Sequence, residues 1–539
     1  MAVIAPQTNI KLLKVPISLD EKNQLTFSSA TAQYNYFNSL PKLEYDSCTY
    51  QRKDGYMAIY EDADTLQQYN YCMYQNTQYG NKWFYAFITN ITYEGNEVSY
   101  VYIKTDVYQT WLMEATFKRS FVEREHVNDD TIGVNTIPES VELGEYVNSD
   151  TPVNNDLATG SYICVALAKN GFVPEGTLAS VNQYGGIISG LIYIILKNLN
   201  SVSALIYHYT NTQYVSVDDI VSMFMIPSDL VQSTITWNTI PNTQGEYSYI
   251  DSSQGALVMN IVNVSVPSTL SGSYNPVNKK LLTYPYRYMI ASNNAGTDVI
   301  YRYEDFLNFN ASPSGICSFD VRGVLTQGCS IKYIPKDYKG ISSNLEEGFN
   351  CAKFPIGSWT KDSYNIWLRQ NALNFGINNT IAGEQIILGL GAMATLNPAG
   401  IALGANMLSN GISGVSNTIN EKYQHRGIPN QVEGNINSSD IVYAMKKTGA
   451  SFYHMSIKPE YARVIDNYFS MFGYKINRVK MPNLSGRTNW NYVKTIDANI
   501  VGNIPQQDLI EIKSLFDKGI TLWHNPSTFL DYSQPNNIV

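Results

Sequence analysis

Between Val3 and about Glu145 apolar and polar positions alternate in short runs, the period of half-buried strands. Tyr56–Tyr60 is one such run and the aromatic Trp83–Ile88 another; Tyr93–Glu97 reads as a tight turn, and Val98–Ile103 returns as the partner strand. Phe121–His126 also alternates, and strict alternation puts Glu123 and Glu125 on one face, Arg124 and His126 on the other. From roughly residue 150 to 376 the pattern is mixed. Ile187–Leu196 is mostly apolar but too short to span a bilayer, so it suits a buried element; short strands separated by Pro, Asn, Ser and Gly follow. Residues 346–375 include a candidate helical lead-in to the segment after them. Near the C-terminus the period becomes helical. Pro459 opens a helix whose Val464, Ile465, Tyr468, Phe469 and Phe472 share a face, and Gly473 closes it. Tyr474–Val479 is a strand, Pro505–Lys518 a second amphipathic helix stopped by Gly519, and Ile520–Trp523 a closing strand.

The alternation fails in one place. Gln385–Asn420 holds thirty-six successive residues without Asp, Glu, Lys, Arg or His, bracketed by Glu384 and Glu421. Its strongly apolar positions are Ile386, Ile387, Leu388, Leu390, Met393 and Leu396, then Ile401, Leu403, Met407, Leu408, Ile412, Val415 and Ile419. Asn397-Pro398 between them is a turn dipeptide, so a hairpin of two apolar arms is expected. As helices, the first arm reaches about 18 Å and the second, Ala399–Ile419, roughly 30 Å, the thickness of a bilayer's hydrocarbon core. Gly400 and Gly404 are spaced for close helix approach. One reading is the buried core of a large domain; the other is a segment hidden in one state and placed in lipid in another. The absence of a charged face and the glycine content, which makes a poor helix in water, favour the second.

Composition narrows the class. A chain of 539 residues is long enough for several domains, and 15% charged residues with 41 Tyr suit β-rich surfaces packed against other subunits. A net charge of −9 opposes a protein that grips nucleic acid through its phosphates, but not a conduit through which nucleic acid slides. Cys48, Cys72, Cys164, Cys317, Cys329 and Cys351 are scattered without CxxC spacing and read as reduced, buried thiols. The N-terminus has no basic region followed by a long apolar run, so cytoplasmic synthesis without signal-peptide export is expected. Catalytic signatures are missing: no HExxH, GxSxG, P-loop or GxGxxG after a strand, and none of the five histidines has a partner at metal-ligand spacing. Neither an enzyme nor a cofactor or metal is expected.

Several strings resemble one family. Gly80–Phe87, Gln109–Trp111, Phe121–Val127 and Asn135–Ile137, and later Gly473–Leu484, Asn491–Thr495 and Gly519–His524, resemble the tail knob (distal tail tube) proteins of phi29-like short-tailed bacteriophages. The likeness covers roughly the first 145 and last 90 residues, and in the middle it is one of layout. The resemblance implies a virion protein at the tail tip, a homohexamer whose chain ends build a β-barrel tube ring and whose middle forms a wider knob. It implies that six apolar loops plug the lumen, then leave it to enter the host cytoplasmic membrane and make a passage for dsDNA. It also implies partners: a proximal tail or lower collar protein, and a cell-wall-degrading protein at the tip.

The expected fold is therefore β-rich and multidomain (α+β): a β-barrel tube domain from both chain ends, inserted β-rich knob domains, and a long hydrophobic loop or helical hairpin. The expected divisions are 1–148 and 435–539 for the tube, 149–376 for the knob and 377–434 for the membrane-active loop. Glu123, Arg124, Glu125 and His126 are the candidate subunit contacts, with His126 a candidate pH sensor. The alternatives are a receptor- or cell-wall-binding tail component without membrane activity, and a pore-forming toxin, which the missing signal peptide disfavours.

Overall fold

The computed structural model describes residues 8–51, 55–76, 80–157, 161–173, 192–231, 235–250, 257–307, 315–324, 329–352 and 447–539, with short pieces between. Two compact units emerge. The first joins Met1–Gly144, Pro276–Leu282 and Pro459–Val539; the second joins Glu145–Asn275 and Thr283–Lys458.

In the first unit the strands β1 (Thr8–Leu13), β3 (Lys42–Gln51), β4 (Tyr56–Ile59), β7 (Val98–Thr105), β6 (Trp83–Gly95) and β5 (Tyr71–Asn76) close, in that order, into an antiparallel barrel. The β6–β7 turn falls at Asn96 and at Glu97, whose φ is +57°. Alternation along β5 serves two cores. Cys72 and Tyr74 join Ile10, Leu12, Met57, Ile59, Ala86 and Val101 in one cluster, while Tyr71 and Met73 join Phe37, Tyr85, Phe87, Trp490 and Trp523 in another. Side chains thus fill the barrel, as six strands are too few to enclose a channel.

The barrel comes from residues 8–105 alone, which corrects the expectation of a barrel built from both chain ends. The ends meet instead in a five-stranded sheet ordered β2 (Asn23–Leu25), Ile520–Trp523, Trp490–Ile496, β9 (Ser120–Glu125) and Tyr474–Lys480. Successive hairpins close the barrel locally, and β9 and the short parallel strand β2 are left to pair with the C-terminal segment. Pro459–Phe472 is a helix with the bounds its sequence predicts, and Gln506–Lys518 follows Pro505. Gly473 ends the first of these at φ +64°; a Cβ there would lie 2.1 Å from the Glu125 carbonyl oxygen, so no other residue fits.

In the second unit Ile192–Leu196, wholly buried, lies inside a six-stranded sheet ordered Asn238–Thr239, Glu246–Tyr249, Ile192–Leu196, Ser161–Leu167, Ile220–Pro227 and Ile356–Gly357. A helix, Leu199–Asn211, packs Val202, Leu205, Ile206 and Tyr209 on it, its start capped by the Asn198 side chain. A second sheet centres on Gly449–Ile457 and Arg287–Ser292, and a third on Ile316–Val324 and Ser330–Tyr338. Phe349–Asn350 and Ile356–Gly357 are short strands, and the remainder of the stretch expected to hold a helical lead-in, residues 358–375, lies outside the described residues. Gln385–Asn420, with all its candidate insertion positions and Gly400 and Gly404, lies outside the described residues, among which no helix is long and apolar enough to cross a membrane.

Candidate functional site

The four candidate contact residues sit on β9, and a bulge rearranges them. Arg124 pairs with Lys494 and Val122 with Thr495, which leaves Glu123 as an extra residue in the ladder. Strict alternation is broken there, and the four side chains part company. Glu123 stays half-exposed and pairs with Lys494 at 2.8 Å. Arg124 is stacked over Tyr468, 4.9 Å from its ring centre, and donates to the Gly473 carbonyl at 2.7 Å and to the Glu139 carboxylate. Glu125 is fully buried; its carboxylate accepts from Lys480 and from the Asn483 backbone N–H at 2.7 Å. Burial pushes that carboxyl above its ordinary pKa, against the pull of Lys480.

His126 is buried as well. Its Nδ1 accepts the Tyr492 N–H at 2.8 Å, which leaves the proton on Nε2 to donate to the Ser470 carbonyl at 3.1 Å. The neutral tautomer is fixed by both partners. Burial, helped by the Arg487 guanidinium, drives the ring's pKa down to about 3, so His126 carries no switch near neutral pH. Asn483, inside one of the family-like strings, closes the arrangement by donating to the His126 carbonyl at 2.7 Å.

Residues that no sequence pattern singled out complete the site. Glu139, whose side chain is inaccessible, bridges Arg124 and Lys280, accepting from Lys280 at 2.6 Å and from the Lys475 N–H at 2.8 Å. Lys280 belongs to Pro276–Leu282, the piece of mid-chain that folds into this unit. Asp466 on the helix Pro459–Phe472 holds the same piece, accepting from the N–H groups of Val277 and Asn278 at 2.8 and 3.0 Å. Glu139 is one of three glutamates from Ile137 to Glu145, and nothing in its spacing announces a buried bridge.

Beside Glu123 and Arg124 a groove of about 330 Å³ opens between Tyr468, Phe472, Lys475 and Tyr492. Of its charged groups, Glu123 is paired with Lys494 and Arg124 with Glu139, whereas Lys475 has no carboxylate partner among the described residues. Among the described residues no cluster of His, Cys, Asp and Glu could hold a metal, and the six cysteines are free thiols, five of them buried.

Comparison with known proteins follows the same line. A family model described as "Bacillus phage phi29, Tail knob protein gp9, C-terminal domain" matches residues 245–537, and one described as "Caudoviral major tail protein N-terminus" matches residues 6–116. The chain is 26% identical to the tail knob protein gp9 of Bacillus phage phi29, over 98% of each chain. It is 27% identical to that of Bacillus phage PZA over 96% of each. The structure of the bacteriophage C1 tail knob protein, gp12, superposes with a TM-score of 0.66 at 16% identity, covering 99% of this chain and 100% of that one.

Proposed function

Because the chain belongs to the family of the phage phi29 tail knob protein gp9, and is thus a structural component of a phage tail, we propose that it builds the distal tail tube and knob of a short-tailed phage. It does so as a homohexamer around a lumen through which dsDNA leaves the virion. The similarity that runs the length of the chain carries this reading. Two features of the chain support it. The barrel is filled by Ile10, Leu12, Met57 and their neighbours, so a lumen belongs between copies rather than inside one. The net charge of −9 keeps passing DNA from adhering.

Gln385–Asn420 is the membrane-active part of this proposal. Each Leu or Ile gains only about 0.3–0.6 kcal/mol at the centre of an inserted helix, so one copy prefers lipid marginally. Six copies on one ring combine their gains once the tip meets the host cytoplasmic membrane. Before then, mutual packing in the lumen hides them from water and blocks the channel. The lower collar protein and the tip's cell-wall-degrading protein flank the ring.

Electron microscopy of the purified protein is expected to show six-fold rings, and the rings to release dye from liposomes. Deleting residues 385–420 should leave the ring and abolish release. A deleted protein that cannot assemble makes the stretch a structural core. Rings that never permeabilise vesicles return the chain to receptor or cell-wall binding.

A further inference from the structure

We propose that the outer face of the sheet around β9 is the surface on which the next copy of the chain seats its barrel, through a patch centred on Tyr60 and Tyr93. The inference rests on the ring reading above and supplies its contact surfaces. It starts from an apolar row that folding does not bury. Val479 and Ile496 are the register partners of Phe121 on either side, and the three are 59%, 54% and 37% exposed. Cross-strand neighbours of this kind form a continuous apolar stripe. Tyr474–Lys480 is also an edge of its sheet, a position that invites a partner.

The stripe has a charged rim of one sign. Residues 118–125, 474–480 and 490–496 carry seven Lys and Arg against two carboxylates, Glu123 and Glu125. Both carboxylates are taken by Lys494 and Lys480, and Lys118, Arg119, Lys475 and Arg478 have no carboxylate partner among the described residues. In a chain of net charge −9, this face is a local excess of positive charge.

The opposite composition occurs on the barrel of the same unit. Tyr60 and Tyr93 are 70% and 60% exposed, and both belong to the end of the barrel at the β6–β7 turn, where Ile59 and Tyr93 pair with Ser99. The Tyr60 hydroxyl donates to the Glu97 carboxylate. Segments 59–66 and 91–100 hold five carboxylates, Glu61, Asp62, Asp64, Glu94 and Glu97, and no Lys or Arg. A cation-rimmed aliphatic row and a carboxylate-rimmed tyrosine pair match in charge and in apolar content. Because the two surfaces differ and lie on one chain, each copy can bind one neighbour with each. Contacts of this head-to-tail kind generate rings. An unrelated partner would account for one surface and leave the other unexplained. The structure also shifts the contact away from Glu125 and His126, which serve the interior of the unit, toward Phe121, Arg478, Val479 and Ile496.

The test uses the full chain and sedimentation velocity. The double variants Phe121→Ser/Ile496→Ser and Tyr60→Ser/Tyr93→Ser change exposed positions, and circular dichroism reports their folding. Each should weaken self-association about thirtyfold or more, as loss of interface anchors does, and sediment as a monomer. Mixed together, the two monomers should form a heterodimer and nothing larger, since each retains the surface the other needs. The exposed charge reversal Arg478→Glu should weaken the ring, and Glu97→Lys in the same chain should restore part of the loss; this pair decides the matter if a double variant does not fold. Variants that assemble like the parent around an intact parental ring overturn the assignment of the surfaces alone. A mixture of monomers that stays monomeric overturns the head-to-tail pairing. A parent chain that is itself monomeric at micromolar concentration overturns the ring, and this inference with it.

Discussion

The unit made from the chain ends and the unit made from its middle are held together by different means. In the first, distant segments are joined by buried polar groups: Glu139 between Arg124 and Lys280, Asp466 on Val277 and Asn278, and Asp106 with Gln24, Tyr71 and Gln109. In the second, apolar and aromatic joints stand beside neutral hydrogen bonds. Leu205 and its neighbours hold the helix Leu199–Asn211 on its sheet, and Tyr333 stacks on Phe349 with ring centres 5.1 Å apart. Its polar joints are neutral ones: the Tyr333 hydroxyl donates to Asn155 at 2.6 Å, Ser451 to Asn154 at 2.8 Å, and the Tyr303 hydroxyl meets His454 Nδ1 at 2.7 Å, whereas its ion pairs among the described residues each keep a partner at least partly exposed to solvent. Apolar clusters tolerate exchange among side chains of similar volume. A buried ion pair accepts only its own partners, so it specifies which segments join and penalises any loss heavily.

The largest effect should come from breaking that specification. Glu139→Ala leaves Arg124 and Lys280 without their shared carboxylate, a loss expected to cost about 3–5 kcal/mol. Hydrogen exchange should accelerate in β9 and in Pro276–Leu282 and remain unchanged in the second unit's sheets. Leu205→Ala is the counterpart in the second unit. It removes a fully buried side chain and should cost about 2–5 kcal/mol, with faster exchange in Ile192–Leu196 and none in the barrel. Exchange that spreads through both units in either variant would erase the contrast between them.

The same contrast explains what was legible in the sequence. The helix Pro459–Phe472 could be bounded from its letters because Pro459 and Gly473 are local signals, and Gly473 occupies the left-handed backbone they imply. The strands Trp83–Gly95 and Val98–Thr105 run past their expected bounds, since polar Asn90 and Thr92 still pair in the ladder. Strict alternation misplaced Glu125 because a bulge at Glu123 leaves no trace in a period of two. The helix Leu199–Asn211 has its signal, Asn198 before Val202, Leu205, Ile206 and Tyr209, but β-branched residues and Tyr make the segment read as another strand. Pro276–Leu282 has no periodicity at all. Its place depends on Asp466 and Glu139, residues 188 and 141 positions away from Asn278 and Lys280 respectively. At the candidate site, the charged string on β9 was visible, but the residues that divide it between interior and surface were not.

Asp466→Ala sharpens the point at smaller scale. Two backbone N–H groups, of Val277 and Asn278, lose their acceptor, and a penalty of about 2–3 kcal/mol is expected. Limited proteolysis should then cut within Pro276–Leu282, and should not do so in the parent chain. If Pro276–Leu282 stays protected in the variant, other contacts hold it in place.

The smallest effect is a cancellation within the first unit. His126 is held neutral down to about 3, whereas an unfolded imidazole takes its proton near 6.5. Its contribution is complete above 6.5 and is lost as pH falls toward 3, because the unfolded chain then binds a proton that the folded chain refuses. Asp106 behaves in the opposite sense. Burial pushes its carboxyl up to about 7 from 3.8, against the donors Gln109, Gln24 and Tyr71. The folded chain keeps that proton while the unfolded chain releases it, so this contribution is complete below 3.8 and is lost as pH rises through 7. Each dependence amounts to about 1.4 kcal/mol per pH unit at most, and between about pH 4 and 6.5 they oppose one another. Removing one should expose the other. The stability of His126→Gln should fall as pH rises across that window, and that of Asp106→Asn should rise. Urea midpoints at about pH 4.5 and 6 should therefore move in opposite directions in the two variants, by about 1 kcal/mol per pH unit. Parallel profiles would mean that the two buried groups do not balance. The polar joints of this unit would then specify its segments without setting its response to acid.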